Sequence, residues 1–165
     1  MTIPMQWALR RRMMMMTNRI PQLFYYGPAP QLSAARNRIS ATTVGNYALF
    51  GGGWGSGNAK FSTVDAYNTS LTRTTPTALS VERGASAATT VGNYALFGGG
   101  SGSGSPGHLS TVDAYDTSLT RTTPTALRVA REFLAATTVG NYALFGGGRD
   151  SHYYFSSTVD AYQVK

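Results

Sequence analysis

An all-β fold built of propeller blades, about three four-stranded antiparallel units, is what this 165-residue sequence predicts. The first observation is a block of thirteen residues, ATTVGNYALFGGG, which occurs three times unchanged, at 41–53, 88–100 and 136–148. The second is that TVDAY recurs in the same phase at 63–67, 111–115 and 158–162, and TSLTRTTPTAL at 69–79 and 117–127. A period of 47 to 48 residues belongs to solenoids and propellers, whose units bury their apolar faces only against a neighbouring unit. The third is composition: glycine and threonine are abundant and only 13% of residues are charged, which favours short strands and turns over surface helices.

Each element follows from local chemistry. Ala-Thr-Thr-Val and Tyr-Ala-Leu-Phe are two β-prone runs separated by Gly45-Asn46, Gly92-Asn93 or Gly140-Asn141. A Gly-Asn pair between such runs predicts a tight hairpin, because glycine accepts the positive φ that these turns require. The triple glycine after Phe50, Phe97 and Phe145 ends the second strand where backbone approaches backbone. TVDAY predicts a third strand with valine and alanine on one face and threonine, aspartate and tyrosine on the other. A turn at Asn68-Thr69-Ser70 or Asp116-Thr117-Ser118 then leads into LTRTT, a fourth strand ended by Pro76 or Pro124.

These residues resemble the kelch repeat. The likeness rests on Arg36, Arg83 and Arg131 before each first strand, the Tyr-Ala-Leu-Phe-Gly-Gly segments, and Tyr67, Tyr115 and Tyr162. It covers residues 32–165 and departs at the tryptophan position, where Thr74 and Thr122 stand. The resemblance implies a propeller, in which a terminal strand often completes the last blade. Some propellers of this kind are enzymes, such as galactose oxidases and sialic-acid epimerases. The cross-linked cofactor of the oxidases needs a cysteine, and this chain has none.

The expected organisation is a disordered leader at 1–19 and a repeat domain at 20–165, with repeats at 32–78, 79–126 and 127–165. The third repeat stops before a fourth strand, whereas 23–26, Leu-Phe-Tyr-Tyr, sits upstream where such a strand belongs. Three blades are fewer than the usual four to eight. The expectation is therefore a homodimer forming a six-bladed ring, with 23–26 completing the partner's last blade; the competing reading is a fragment of a longer propeller.

Charge excludes one class of function. The net charge of +7 is concentrated at the amino terminus, since residues 1–38 hold six arginines and no acid, leaving eight basic and seven acidic residues in the other 127. The repeat body lacks the basic stripe with interleaved aromatics that nucleic acid requires. No run of about 20 apolar residues predicts a membrane span, and the four methionines after the amino-terminal arginines are too short for a signal peptide. Cytoplasmic location is the default expectation.

With the framework repeated letter for letter, specificity belongs where the copies differ. The candidate binding residues lie between the second and third strands: Trp54, Lys60, Phe61, His108, Arg149, Asp150, His152, Tyr153 and Tyr154. A second variable stretch spans 37–39, 84–86 and 132–134. Aromatic and histidine clusters of this kind stack on sugar rings or grip peptides. Asp65, Asp113 and Asp160, like the three arginines, recur with the framework and read as structural, the arginines as hydrogen-bond donors between blades. The two histidines lie in different loops with no carboxylate at metal-ligand spacing, so a zinc site lacks its set of ligands, and the glycine triplets lack the Gly-Lys-Ser/Thr ending of a phosphate loop. The expected function is non-catalytic binding of a protein, or else a glycan, without a cofactor. The alternative is a carbohydrate-active enzyme, which requires Glu82, Asp150 and a histidine to converge.

Overall fold

A computed structural model describes residues 22–104 and 107–165; the expected leader lies outside the described residues. The first sheet contains β1 (Ser40–Val44), β2 (Tyr47–Gly51), β3 (Val64–Tyr67) and β4 (Arg73–Thr74) in sequential antiparallel order. The second repeats this with β5 (Ala87–Val91), β6 (Tyr94–Gly98), β7 (Val112–Tyr115) and β8 (Arg121–Thr122). The third has three strands, β9 (Ala135–Val139), β10 (Tyr142–Gly146) and β11 (Val159–Gln163). The fold is all-β and blade-like, as the repeat predicts. The fourth strands are shorter than LTRTT suggested, only two residues each, and 23–26 carries no strand and lies exposed.

The turns hold by the chemistry read from the sequence. Gly45, Gly92 and Gly140 take φ of +52°, +54° and +55° at the hairpins. Asn68 Oδ1 accepts hydrogen bonds from the backbone N–H groups of Ser70 and Thr72, and Asp116 Oδ1 does the same for Ser118 and Thr120.

Strand pleating gives each sheet two apolar faces, and adjacent sheets bury unlike faces against each other. Val44, Leu49, Val64 and Ala66 of the first sheet pack on Ala95, Phe97 and Tyr115 of the second. Val91, Leu96, Val112 and Ala114 of the second pack in the same way on Ala143 and Phe145 of the third. Each fully buried valine, leucine or phenylalanine side chain is worth about 1.5–3 kcal/mol, so these seams are the main source of stability. The phenylalanine of each second strand meets the tyrosine of the third edge-on, at 5.7, 5.9 and 5.8 Å between centroids. The innermost strands β1, β5 and β9 are joined by threonines: Thr42 Oγ1 lies 2.7 Å from Thr90 Oγ1, and Thr89 Oγ1 lies 2.8 Å from Thr138 Oγ1.

The periodic arginines act within sheets, which corrects the expectation that they donate between blades. Arg83 donates to the Thr111 carbonyl at 2.7 Å and pairs with Asp113, both in its own sheet. Arg36 likewise donates to the Gly52 carbonyl and pairs with Asp65 at 2.7 Å, and Arg131 pairs with Asp160 at 2.9 Å. A buried guanidinium needs a counter-charge, and the aspartate on the same face of its own sheet supplies one. The inter-sheet bond comes instead from the arginine's backbone: Gly53 N–H donates to the Arg83 carbonyl at 2.8 Å, and Gly100 N–H to the Arg131 carbonyl at 2.9 Å. The preceding glycines, Gly52 and Gly99, lie so close to these carbonyls that a Cβ would stand 2.4 and 2.7 Å from the oxygen.

Candidate functional site

The variable residues gather on one side of the array. There the connections β2–β3, β6–β7 and β10–β11 meet the segments that enter β1, β5 and β9. Isolated bridges Asn37–Trp54–Lys60, Gly84–Ser101–His108 and Glu132–Arg149–Phe155 extend each sheet into a short ribbon. Trp54, Ser101 and Arg149 therefore occupy equivalent places, as do Lys60, His108 and Phe155. One scaffold position carries three chemistries.

Beside them Arg38, Ala85 and Phe133 share a left-handed backbone, with φ of +52°, +56° and +55°. Such conformations cost about 1–3 kcal/mol at a residue with a side chain and persist only where the surroundings impose them. Here the constraint is a ladder between sheets: Ala85 N–H donates to the Arg38 carbonyl at 3.0 Å, and Phe133 N–H to the Ala85 carbonyl at 2.9 Å.

Cations and rings then alternate across all three sheets. The Arg38 guanidinium carbon lies 3.9 Å from the centre of the Trp54 ring and 5.4 Å from that of Phe133. Arg149 lies 5.1 Å from Phe133 and 4.9 Å from Tyr153, whose ring meets His108 edge-on at 6.1 Å. Each cation–ring contact is worth about 0.5–1 kcal/mol when exposed and more when desolvated. Buried Glu132 anchors the group, accepting from Arg149 Nε at 2.8 Å and lying 3.3 Å from His108 Nε2. Lys60, over Trp54 at 5.3 Å, reaches across to Ser101 Oγ at 3.3 Å and to the Gly102 carbonyl. An open cleft of about 330 Å³ is bordered by Phe133, Gly148, Arg149 and Phe155.

The residues singled out from the sequence thus divide. Trp54 and Lys60 meet in one cluster; His108, Arg149 and Tyr153 meet in the other. Asp150 shapes its loop, its Oδ1 accepting from the N–H groups of His152 and Tyr154. His152 and Tyr154 stack on each other at 6.1 Å on the exposed surface. Phe61 packs against Gly55 and Arg36 inside its loop. Arg38, Glu132 and Phe133 were absent from the set of candidate binding residues. Their signal was the second variable stretch, but a single sequence does not reveal that Arg38 crosses to a ring of the third sheet.

Two kinds of chemistry bear on the site. Among the described residues no group of three or more histidine, cysteine, aspartate or glutamate side chains is placed to hold a metal ion. Displaced pKa values occur in the framework. At Asp65, burial raises the carboxyl, but hydrogen bonds from Arg36, Arg73 and Ser33 outweigh it and hold the group below its ordinary 3.8. Burial, reinforced by the charge of Asp160, pushes Tyr162 up to about 12.

The architecture defines an all-β repeat protein of blade-like sheets with a mixed cationic and aromatic loop face. No family model and no curated protein matches the chain.

Proposed function

We propose that this chain is a non-catalytic binding module of the kelch-like propeller type that recognises a protein partner through its loop face. The observation that carries this reading is the continuous series Trp54, Arg38, Phe133, Arg149 and Tyr153. Rings and guanidinium groups of this kind dominate protein interfaces, combining apolar area with directional hydrogen bonding. A framework copied letter for letter, with divergence confined to its loops, is the arrangement of a scaffold presenting recognition residues. The enzymatic alternative draws less support, because Asp150 is engaged in its own turn.

A displayed peptide library panned on the protein, in parallel with a glycan array, tests the reading. Peptides enriched by the parent chain and lost in both Arg38→Ala and Tyr153→Ala variants are the expected result. Binding to glycans alone would move the assignment to carbohydrate, and enrichment unaffected by either variant would refute the site. A second copy of the chain is the other partner proposed, and its docking surface can be specified.

A further inference from the structure

We infer that a second copy of this chain docks head to tail on the open face of the third sheet, presenting its first sheet as the next unit of the array. This rests on the blade-like fold and on the proposed self-association, and is independent of what the loop face binds.

The residues of that face are the ones buried elsewhere in the same molecule. Val44 and Val91 are 1% and 2% exposed, while the equivalent Val139 is 61% exposed. Val64 and Val112 are fully buried, while Val159 is 56% exposed. The complementary surface is equally present at the other end of the array. Phe97 and Phe145 point back into the preceding sheet, where Gly51 and Gly98 leave room for their rings; a Cβ on either glycine would stand 2.8 or 2.7 Å from the ring. The equivalent socket at Gly146 is open, with Val159 Cγ2 at 3.4 Å as the nearest atom, and the equivalent ring, Phe50, is only partly covered.

Backbone and side-chain ladders stop in the same register. Gly53 and Gly100 bond to the carbonyls of Arg83 and Arg131, so the next rung joins Gly148 N–H to the Arg36 carbonyl of the second copy. Gly147 tells the same story: Gly52 and Gly99 nearly touch an arginine carbonyl, whereas the nearest neighbour of a Cβ on Gly147 stands 3.9 Å away. The ladder runs from Arg38 through Ala85 to Phe133, so its next rung joins the Phe133 carbonyl to the Arg38 N–H of the second copy. The threonine pairs Thr42–Thr90 and Thr89–Thr138 extend to Thr137 with Thr43 of the second copy.

The incomplete third sheet fits the same docking. β4 and β8 begin ten residues before Arg83 and Arg131, and the residue ten before Arg36 is Tyr26. Tyr26, at the end of the exposed 23–26 segment, therefore holds the register position of Arg73 and Arg121 and in the second copy comes beside β11, whose outer edge has no partner strand among the described residues. A surface whose every socket matches the opposite end of its own chain selects a second copy over an unrelated occupant. Contacts of this head-to-tail kind close into a ring when the rotation permits and otherwise propagate.

Light scattering on the full chain tests the docking without reference to any loop ligand. The expected mass is twice 17.6 kDa, two seams closing the ring; a longer head-to-tail oligomer also supports docking, and a folded monomer overturns it. Gly146 does not have a positive φ and a Cβ there meets only Val159 Cγ2 at 3.4 Å, so Gly146→Leu is expected to be tolerated by a single chain while filling the socket for Phe50. That variant is expected to be monomeric with an unchanged β-type circular dichroism spectrum, and an unaltered oligomer would refute this interface. As a second measurement, Thr43→Cys with Thr137→Cys in this cysteine-free chain should give a reducible covalent link between chains under mild oxidation. Failure of that link to form in the oligomer would place the contact elsewhere.

Discussion

Asp113 shows how much one residue carries in this fold. Its carboxylate is fully buried and receives Arg83, Arg121 at 3.0 Å and both the backbone N–H and hydroxyl of Ser80. Removing one partner of a buried pair leaves a charge without compensation, which costs about 3–5 kcal/mol. Asp113→Asn is therefore expected to lower the denaturant midpoint sharply. Asp160→Asn should cost less, because the side chain of Asp160 is 16% exposed and Arg131 alone pairs with it among the described residues. Chemical denaturation of both variants measures the difference; equal losses would argue against the second arginine as a contributor. The periodicity of Asp65, Asp113 and Asp160 already indicated a structural role. Which groups they pair with was hidden, because Arg73 and Arg121 belong to short strands whose register the sequence does not state.

Among elements, the glycine triplets separate local conformation from packing. Gly99 and Gly147 are equivalent residues with φ of +67° and +72°, so alanine at either meets a similar backbone penalty. Only Gly99 also lies against the Arg131 carbonyl and the Leu134 side chain. Measured in the Gly146→Leu background, chosen so that the open face of the third sheet is blocked, Gly99→Ala should destabilise by at least about 1 kcal/mol more than Gly147→Ala. Thermal unfolding monitored by circular dichroism gives the comparison, and equal shifts would mean that conformation alone fixes the triplet. The strands themselves were legible from the thirteen-residue block, its hairpin turn and its glycine stop. The fourth strands are shorter than threonine's β propensity in LTRTT predicts, because only two residues of each find partners on β3 and β7.

The whole molecule should have a broad stability plateau bounded by different groups at each end. In the fold the Asp65 carboxyl is held below 3.8, so its contribution is complete above that value and is lost as pH falls through and below it. Tyr162 is raised from 10.0 to about 12, mainly by burial, and Tyr115 is raised further by deeper burial and the charge of Asp113. A tyrosine whose folded value is raised contributes stability below pH 10 that disappears as pH climbs from 10 towards the folded value. Tm should therefore fall below about pH 4 and again above about pH 10. Tyr162→Phe should soften the alkaline fall while losing the hydrogen bond to the Thr125 carbonyl. A Tm that holds constant from pH 10 to 12 would contradict the assignment.

By itself the sequence determined the repeat unit, its strand order, its turns and the places where the copies differ, because these depend on residues near one another along the chain. Only the tertiary structure decided that the arginines serve their own sheets, that Arg38 meets Phe133 across the array, and that one face of the third sheet is open. Those facts depend on which sheet lies beside which. The thirteen-residue block is identical in all three copies, and position in the array alone gives its residues different neighbours: Val91 is buried and Val139 exposed because one has a sheet in front of it and the other does not.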